Sequence, residues 1–292
     1  MPGTPIVRGI SWTAMQGTTI KVLEAPLNMR ENVRAAMALP NERVWDGKGL
    51  LPIPWPQVYT EVFKQEFAPY TFAQNAAILR HTAQAAPQTP IKDAADYLLR
   101  QLAAYTRDGY VRYDFDHSMQ GGRLKKGWTS ALGNAFAVIG LLDLAAATHR
   151  PELTRLAYAY LQKLAWTGAN NDLVMVDDAS FLWFEETPPF DGRRTHVING
   201  HVGVVFAFYY YTQQTGDQQF VPLIRAGLAT MARYMWEVRR PGENSAYWLF
   251  DANVADYGPL RAINFAEALY RISGNPSFRN VADAYRTDNA IR

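Results

Sequence analysis

Residues 177–200, DDASFLWFEETPPFDGRRTHVING, concentrate side chains that can carry acid–base and anion-binding chemistry. The stretch holds five carboxylates, two arginines, one histidine and four large aromatic residues, and its pattern fits no single regular element. Carboxylates and histidine can give or take protons, and arginine can hold a carboxylate in a bidentate pair. This stretch is therefore the first candidate for a functional loop.

Metal and cofactor chemistry is not indicated by the residue spacing. His196 and His201 lie five residues apart, not the three or four that align ligands on one helical face, and the chain has no cysteine. DGYVRYDFDH, residues 108–117, lacks the glycine and distal glutamate of a calcium loop. No glycine-rich phosphate loop follows a strand. We therefore predict neither a metal site nor a cofactor.

Composition limits the classes of partner. The 292 residues are 48% apolar and 13% aromatic, which is enough for a full core, and the formal charge of +2 gives no field that would favour nucleic acid. No apolar run reaches about 18 residues, so no membrane-spanning segment is predicted. No leader is visible at the start. The compartment stays open: periplasmic or extracellular if a leader was removed, otherwise cytoplasmic.

Four segments of the chain share the form helix, short turn, helix, and begin at Tyr70, Trp128, Val197 and Arg261. The turns ATHRPEL, QTGDQQF and ISGNPSF each place a small or polar breaker after the first helix. First helices such as HVGVVFAFYYY are apolar nearly all round, whereas the second helices are amphipathic. The repeats predict an all-α fold, an α/α toroid or open arc of helical hairpins.

The links between hairpins are long and alternate apolar with polar residues, which predicts short β-hairpin strands. They span residues 106–127, 168–196 and 238–260. Each link joins an outer helix to the next inner helix, so all three are expected at one end of the ring. We predict two parts of the chain: residues 1–56, an extended or helical segment packed on the body, and residues 57–292, a toroid of catalytic type.

A family resemblance rests on several motifs in one order. GWTSALGNAFAVIGLLDLA, WFEETPP, THVINGHVGVVFAFYYYTQQTGD and AYWLFDANVADYGPLRAINFAEAL together resemble the C-terminal catalytic domain of the D-glucuronyl C5-epimerases. The resemblance covers roughly residues 68–290. Members of that family usually add a β-rich N-terminal portion that helps to hold the glycan and build a dimer, and this chain is too short to carry it in full.

The resemblance implies which residues act. Inverting C5 of a uronate needs a group on each face of one carbon and cationic or hydrogen-bonding groups at the carboxylate. The resemblance implies Glu186 and Tyr257 on the two faces and Tyr247 holding the intermediate. The predicted contacts to substrate are Arg194, which is favoured for the carboxylate, Arg193, His196, Arg261, Lys126 and Asn199, with Trp128 and Trp183 as stacking platforms.

The expected substrate is an acidic or uronate-containing polysaccharide, and a homodimer is left open. Two departures from the family pattern bear on activity: Thr187 stands where a tyrosine is usual, and Tyr247 and Tyr257 are closer together than is typical. Three alternatives remain: a polysaccharide lyase with the same base, a glycoside hydrolase pairing Glu186 with Asp178 or Asp116 about 5 to 10 Å apart, or a noncatalytic glycan-binding domain.

Overall fold

The structure, a computed structural model, describes residues 6–11, 19–40, 42–119, 122–165, 172–189, 194–242, 245–249 and 259–291. The chain opens with an antiparallel strand pair, β1 (Ile6–Ser11) and β2 (Thr19–Leu23), followed by a single helical turn, α1 (Val33–Ala36). A π-helical turn covers Val58–Val62. The remainder of the described chain is dominated by long helices, so the prediction of a helix-rich fold with few short strands is confirmed.

Long helices follow one another in pairs joined by short turns. The pairs are α2 (Pro69–Ala85) with α3 (Lys92–Ala104), α4 (Ala131–Thr148) with α5 (Pro151–Ala165), α6 (Ile198–Thr215) with α7 (Val221–Tyr234), and α8 (Pro259–Ser273) with α9 (Pro276–Asp288). Left-handed residues His149 and Gly216 end α4 and α6, and Pro151 and Pro276 begin α5 and α9. The breakers in the sequence thus separate the two helices of each pair.

The first helices of the pairs form the core. Helix α4 packs against α2, α5 and α6, and every residue of α6 from Ile198 to Thr212 is buried. Helix α4 is also long and apolar enough to cross a membrane by length and composition, yet most of it is buried. Such burial is typical of the core helix of a globular protein, and we interpret α4 as one.

Among the described residues, short antiparallel strand pairs lie in the first and second long links. The first link contains β3 (Thr106–Arg107) with β4 (Tyr110–Val111) and β5 (His117–Met119) with β6 (Gly122–Leu124). The second contains β7 (Val174–Val176) with β8 (Leu182–Phe184). In the third, Trp248 forms an isolated bridge with Val197 at the start of α6. The Leu249 N–H also donates to the carbonyl of His196 at 3.3 Å, so the second and third links are joined to each other.

The N-terminal segment crosses the core helices. Tyr209 of α6 donates to the carbonyl of Asn28 at 2.5 Å and accepts from the backbone N–H of Glu31 at 2.9 Å. Arg34 of α1 reaches Asp143 of α4 at 3.0 Å. These bonds fix α1 among the inner helices; the proposed boundary at residue 56 stays a prediction.

Asp143 lies at the centre of a buried ionic cluster formed by Arg34, Arg80, Asp143 and Tyr210. Arg80 of α2 binds its Oδ1 at 2.9 Å, and the hydroxyl of Tyr210 donates to the same atom at 2.6 Å. The Asp143 side chain is fully buried. A buried charge is tolerated only when it is paired and hydrogen-bonded, so this cluster ties α1, α2, α4 and α6 together.

Candidate active site

Two adjoining cavities lie where the long links meet the inner helices. The acid cavity, of about 240 Å³, is lined by residues of all three links, among them Tyr113, Glu186 and Tyr247, and by Trp128. The arginine cavity, of about 310 Å³, is lined by Asn199, Arg261, Asn264 and the turn Ala36–Ala38. Both cavities share Tyr70, Leu132 and Phe136 as lining residues. Side chains far apart in sequence therefore meet in one cleft.

Glu186 is held between the first turns of two core helices. Its carbonyl accepts from the backbone N–H of Ala131 at 3.0 Å, at the start of α4. Gly200, in the first turn of α6, approaches so closely that an added Cβ would lie 2.4 Å from Cβ of Glu186. Only glycine leaves this space open, which is why the glycine of THVING lies opposite the second glutamate of WFEETP.

The Glu186 carboxylate is poised for proton transfer. Its Oε1 accepts from the Tyr247 hydroxyl at 3.1 Å, and its buried Oε2 has no hydrogen bond of normal geometry from the described residues. Burial raises the pKa of Glu186 to about 7, against the lowering effects of the Tyr247 hydroxyl, the Arg261 charge and the Gly200 N–H. A carboxyl that titrates near neutral pH is suited to act as a general base or acid.

Arg261 lies in the first turn of α8 and lines the arginine cavity. Burial raises the pKa values of Glu186 and Tyr70, and the Arg261 charge is close enough to both to offset part of that rise. Asn199 lines the same cavity from the first turn of α6. Its Oδ1 is buried and has no hydrogen-bond partner in the described part of the chain. A guanidinium and an amide thus border a space beside the carboxylate.

Trp128 forms an aromatic wall of the acid cavity. Its ring stacks on Tyr113 at 4.0 Å and on His117 at 5.7 Å between centroids, and its indole N–H donates to the carbonyl of Phe115 at 3.0 Å. The residue is half-buried and lines the cavity. Its role as a stacking platform for a sugar ring stays a prediction.

Trp183 and His196 do not line either cavity. Trp183 is fully buried, donates to Asp177 at 3.2 Å and stacks on the His196 ring at 4.3 Å. His196 Nδ1 lies 2.5 Å from Oε1 of the buried Glu185. Trp183 therefore has no exposed ring face that could stack on a sugar. The contact between Glu185 and His196 links the end of β8 to the start of α6.

Arg194 is turned to the protein backbone, where it donates to the carbonyl of Asp172 at 2.8 Å, and it is not among the described residues that line the two cavities. Lys126 pairs with Asp114 at 3.0 Å on the exposed surface. The arginine that the structure brings to the cleft is Arg261, not the favoured Arg194. Tyr257 and Arg193 lie outside the described residues, and their predicted roles stay predictions.

His201 has both ring nitrogens in use within the core. Nδ1 accepts from the Phe184 N–H at 3.1 Å, which leaves Nε2 as the donor to the carbonyl of Gly227 at 3.1 Å. Burial lowers the pKa of His201 to about 3. The ring is a neutral link between β8, α6 and α7. Among the described residues, no cluster of three potential metal ligands occurs.

Comparison with known families identifies the chain. Residues 106–287, more than half of its length, match the family described as D-glucuronyl C5-epimerase C-terminus. The chain belongs to this family. The resemblance seen in the sequence motifs is thereby confirmed. No significant match was found among curated proteins.

A solved structure with a similar fold is that of cellobiose 2-epimerase from Bacillus thermoamylovorans B4167. The TM-score is 0.50 at 11% sequence identity, and the match covers 75% of this chain but 58% of that chain. At this identity the likeness concerns the fold alone.

The structure adds residues to the cleft of this epimerase-family domain that the sequence did not single out. Tyr59, Tyr113 and His117 line the acid cavity with Glu186. Tyr59 and Tyr113 both lie close enough to Glu186 for its charge to raise their pKa values, in addition to the larger effect of burial. The alternation DGYVRY could have indicated that Tyr113 faces inward, but nothing local distinguishes Tyr59.

Proposed function

We propose that the protein inverts C5 of uronic acid residues in a polysaccharide, in the manner of glucuronate conversion to iduronate. One observation carries the proposal: Glu186, with a pKa near 7, contacts the Tyr247 hydroxyl in a cavity that adjoins the one lined by Arg261 and Asn199. Proton removal beside a carboxylate requires a base of this kind and cationic or hydrogen-bonding groups for the charge that develops.

The mechanism assigns each group one task. Glu186 takes the C5 proton, and the electron pair of the C5–H bond moves to form an enolate whose charge lies on the carboxylate oxygens. Arg261 and Asn199 bind that carboxylate, and Tyr247 stabilises the intermediate through its hydroxyl. Tyr257 then returns a proton to C5 on the opposite face. No bond to a neighbouring sugar breaks.

We also infer that the four helical hairpins form an α/α toroid or an open arc of one. Contacts of α4 with both α2 and α6, and the ring contact of Phe206 in α6 with Phe265 in α8, support an ordered succession of inner helices. The meeting of residues from all three long links in the acid cavity supports a common end for those links.

Hydrolysis is less well supported. Asp178 lies exposed in the turn between β7 and β8, and Asp116 is bound by Arg123 at 2.6 Å. Glu186 is the one carboxylate among the described residues that line the acid cavity. A glycosidase needs a second carboxylate across the scissile bond. A lyase could use the same base, so it must be distinguished by its product.

The deciding experiment is NMR of a glucuronate polysaccharide incubated with the protein in deuterated water. Deuterium entering at C5 without cleavage, with some inverted residues, would support the proposal. Unsaturated chain ends would indicate a lyase and new saturated reducing ends a hydrolase. Binding without any reaction would leave a glycan-binding domain.

Variants then test the assigned pair. Glu186→Gln keeps shape and hydrogen bonding but removes the charge, and Tyr257→Phe removes only a hydroxyl. We expect each to lower C5 exchange by about 10² or more, the scale for losing a positioned acid or base, with glycan affinity within about tenfold. Exchange by both variants at the wild-type rate would overturn the assignment.

A further inference from the structure

The position of Thr187 leaves the cleft one phenol short of the family pattern. Thr187 lines the acid cavity directly after Glu186, and its buried hydroxyl has no hydrogen-bond partner in the described part of the chain. Threonine lacks the reach of a tyrosine, so its hydroxyl cannot occupy the same place. Any replacement must come from another element that lines this cavity.

Tyr113, in the first long link, is fixed where such a hydroxyl is needed. Its ring packs in an aromatic cluster, stacked on Trp128 at 4.0 Å and edge-on to Phe115 at 5.7 Å. Its hydroxyl lies at the first turn of α4, so close that an added Cβ on Gly133 would be 2.6 Å away. The residue lines the acid cavity with Glu186. Packing therefore leaves its phenol little freedom.

Ser130 lies beside the Tyr113 hydroxyl. The Ser130 Oγ caps α4 by accepting from the Gly133 N–H at 3.1 Å, and its own hydroxyl is close enough to Tyr113 to act against the rise that burial causes in the pKa of that phenol. With its oxygen engaged by the helix, Ser130 can direct its own proton to the Tyr113 oxygen. The Tyr113 proton is then left to point into the cavity, which Ser130 also lines.

Electrostatics keep this phenol protonated. Burial first, and then the neighbouring Tyr59 and Glu186, raise the pKa of Tyr113 well above its usual value, against the lowering effect of Ser130. A tyrosine in this state is a hydrogen-bond donor across the neutral range and not a base. It complements Glu186, which accepts the proton.

We infer that Tyr113 is a further catalytic residue, whose hydroxyl donates a hydrogen bond to the reacting uronate and replaces the phenol that is missing at Thr187. The inference rests on the proposed function. As the C5–H electron pair moves into the enolate, a uronate oxygen gains negative charge, and the Tyr113 O–H stabilises that oxygen without transferring its proton. Such a bond strengthens in the transition state, so it acts on kcat more than on KM.

Tyr113→Phe is the direct test, because it keeps the stacked ring and removes only the O–H. We expect kcat for C5 exchange to fall about 10²-fold, as for the loss of one oxyanion donor, with KM within about threefold. Tyr110→Phe is the matched control: Tyr110 belongs to the same link, but its hydroxyl donates to the carbonyl of Lys163 and lines neither cavity. Its kcat should equal that of the wild type.

Ser130→Gly serves as a second variant should Tyr113→Phe fail to fold. Glycine caps a helix nearly as well as serine, so stability should change little, whereas the loss of the orienting hydroxyl should lower kcat about tenfold. Absence of exchange by the wild-type protein would overturn both this inference and the proposed function. Active wild type with Tyr113→Phe or Ser130→Gly within threefold of its kcat would overturn the inference alone.

Discussion

Gly200 faces Glu186 with no room for a methyl group between them. An added Cβ would lie 2.4 Å from Cβ and 2.9 Å from Cα of Glu186, so the obstacle includes backbone and not only a flexible side-chain end. The first turn of α6 thus sets the position of the carboxylate through direct packing. The Gly200 N–H, at the positive end of α6, also stabilises the charged form.

Gly200→Ala should therefore damage activity more than stability. Overpacking costs about 1–3 kcal/mol, and a displacement of the base by about 1 Å can cost about 10² in rate. Unfolding by urea and the rate of C5 exchange would measure the two effects. Gly227→Ala is the control, because its Cβ would lie 2.3 Å from a Val205 methyl. This overpacked contact is outside the cleft. The control variant should lose comparable stability and keep kcat; equal kcat in both variants would contradict the packing argument.

Glu186 should give the enzyme a defined pH dependence. As a base it must be ionised, so kcat/KM should rise through pH of about 7, where the carboxyl titrates. The cause is burial, which the Tyr247 hydroxyl and the Arg261 charge only partly offset. Exchange rates measured from pH 5 to pH 9 would reveal the step. A profile flat across this range would exclude Glu186 as the base.

The same titration predicts an effect on stability with opposite sign. In the folded protein the pKa of Glu186 is raised from 4.5 to about 7. The protonated carboxyl therefore contributes its full share to the free energy of unfolding below pH 4.5, and this contribution is lost as the pH rises to about 7. Glu186→Gln does not titrate, so its stability relative to wild type should increase between pH 4.5 and pH 7. Thermal melts at pH 4.5 and pH 8 test this; a constant difference would contradict it.

Removal of one partner of the buried ionic cluster should lower the free energy of unfolding. Asp143→Ala leaves Arg34 and Arg80 together without their shared carboxylate, and losing one partner of a buried ion pair costs about 3–5 kcal/mol. Urea unfolding would measure the loss. Glu237→Ala, which removes the exposed partner of Arg233, should cost under about 1 kcal/mol. Because Ala36–Ala38 line the arginine cavity, folded Asp143→Ala protein should also bind glycan more weakly.

Local patterns in the sequence were sufficient for the hairpins and for part of the cleft. Apolar stripes and turn breakers specify helices by short-range physics, and the motif order led to Glu186, Tyr247, Arg261 and Asn199, which the structure brings to adjoining cavities. Trp183 was predicted as a stacking platform because its spacing does not reveal that all three residues of β8 are buried.

The tyrosines illustrate the other limit of sequence reasoning. The chain has sixteen, and the three that lie close to Glu186, namely Tyr59, Tyr113 and Tyr247, are each more than sixty residues away from it in sequence. Tyr59 and Tyr113 reach Glu186 only because the π-helical turn and the first link fold over the same helix ends. No local signal encodes that meeting, whereas packing and burial in the folded chain make it evident.

Substitutions of the two tryptophans predicted as stacking platforms should have different effects on glycan binding and on stability. Trp128 is half-buried at the acid cavity, whereas Trp183 is fully buried between Asp177 and His196. Trp128→Ala should raise KM for the glycan about tenfold, since an aromatic contact of about 1–1.5 kcal/mol corresponds to roughly that factor. Trp183→Phe should instead lower the free energy of unfolding by about 1–3 kcal/mol, because it opens a void and removes a donor to Asp177.

Titration calorimetry with a uronate oligosaccharide and urea unfolding of both variants provide the comparison. Weaker glycan binding by folded Trp183→Phe, with Trp128→Ala binding as the wild type does, would reverse the assignment of the platform.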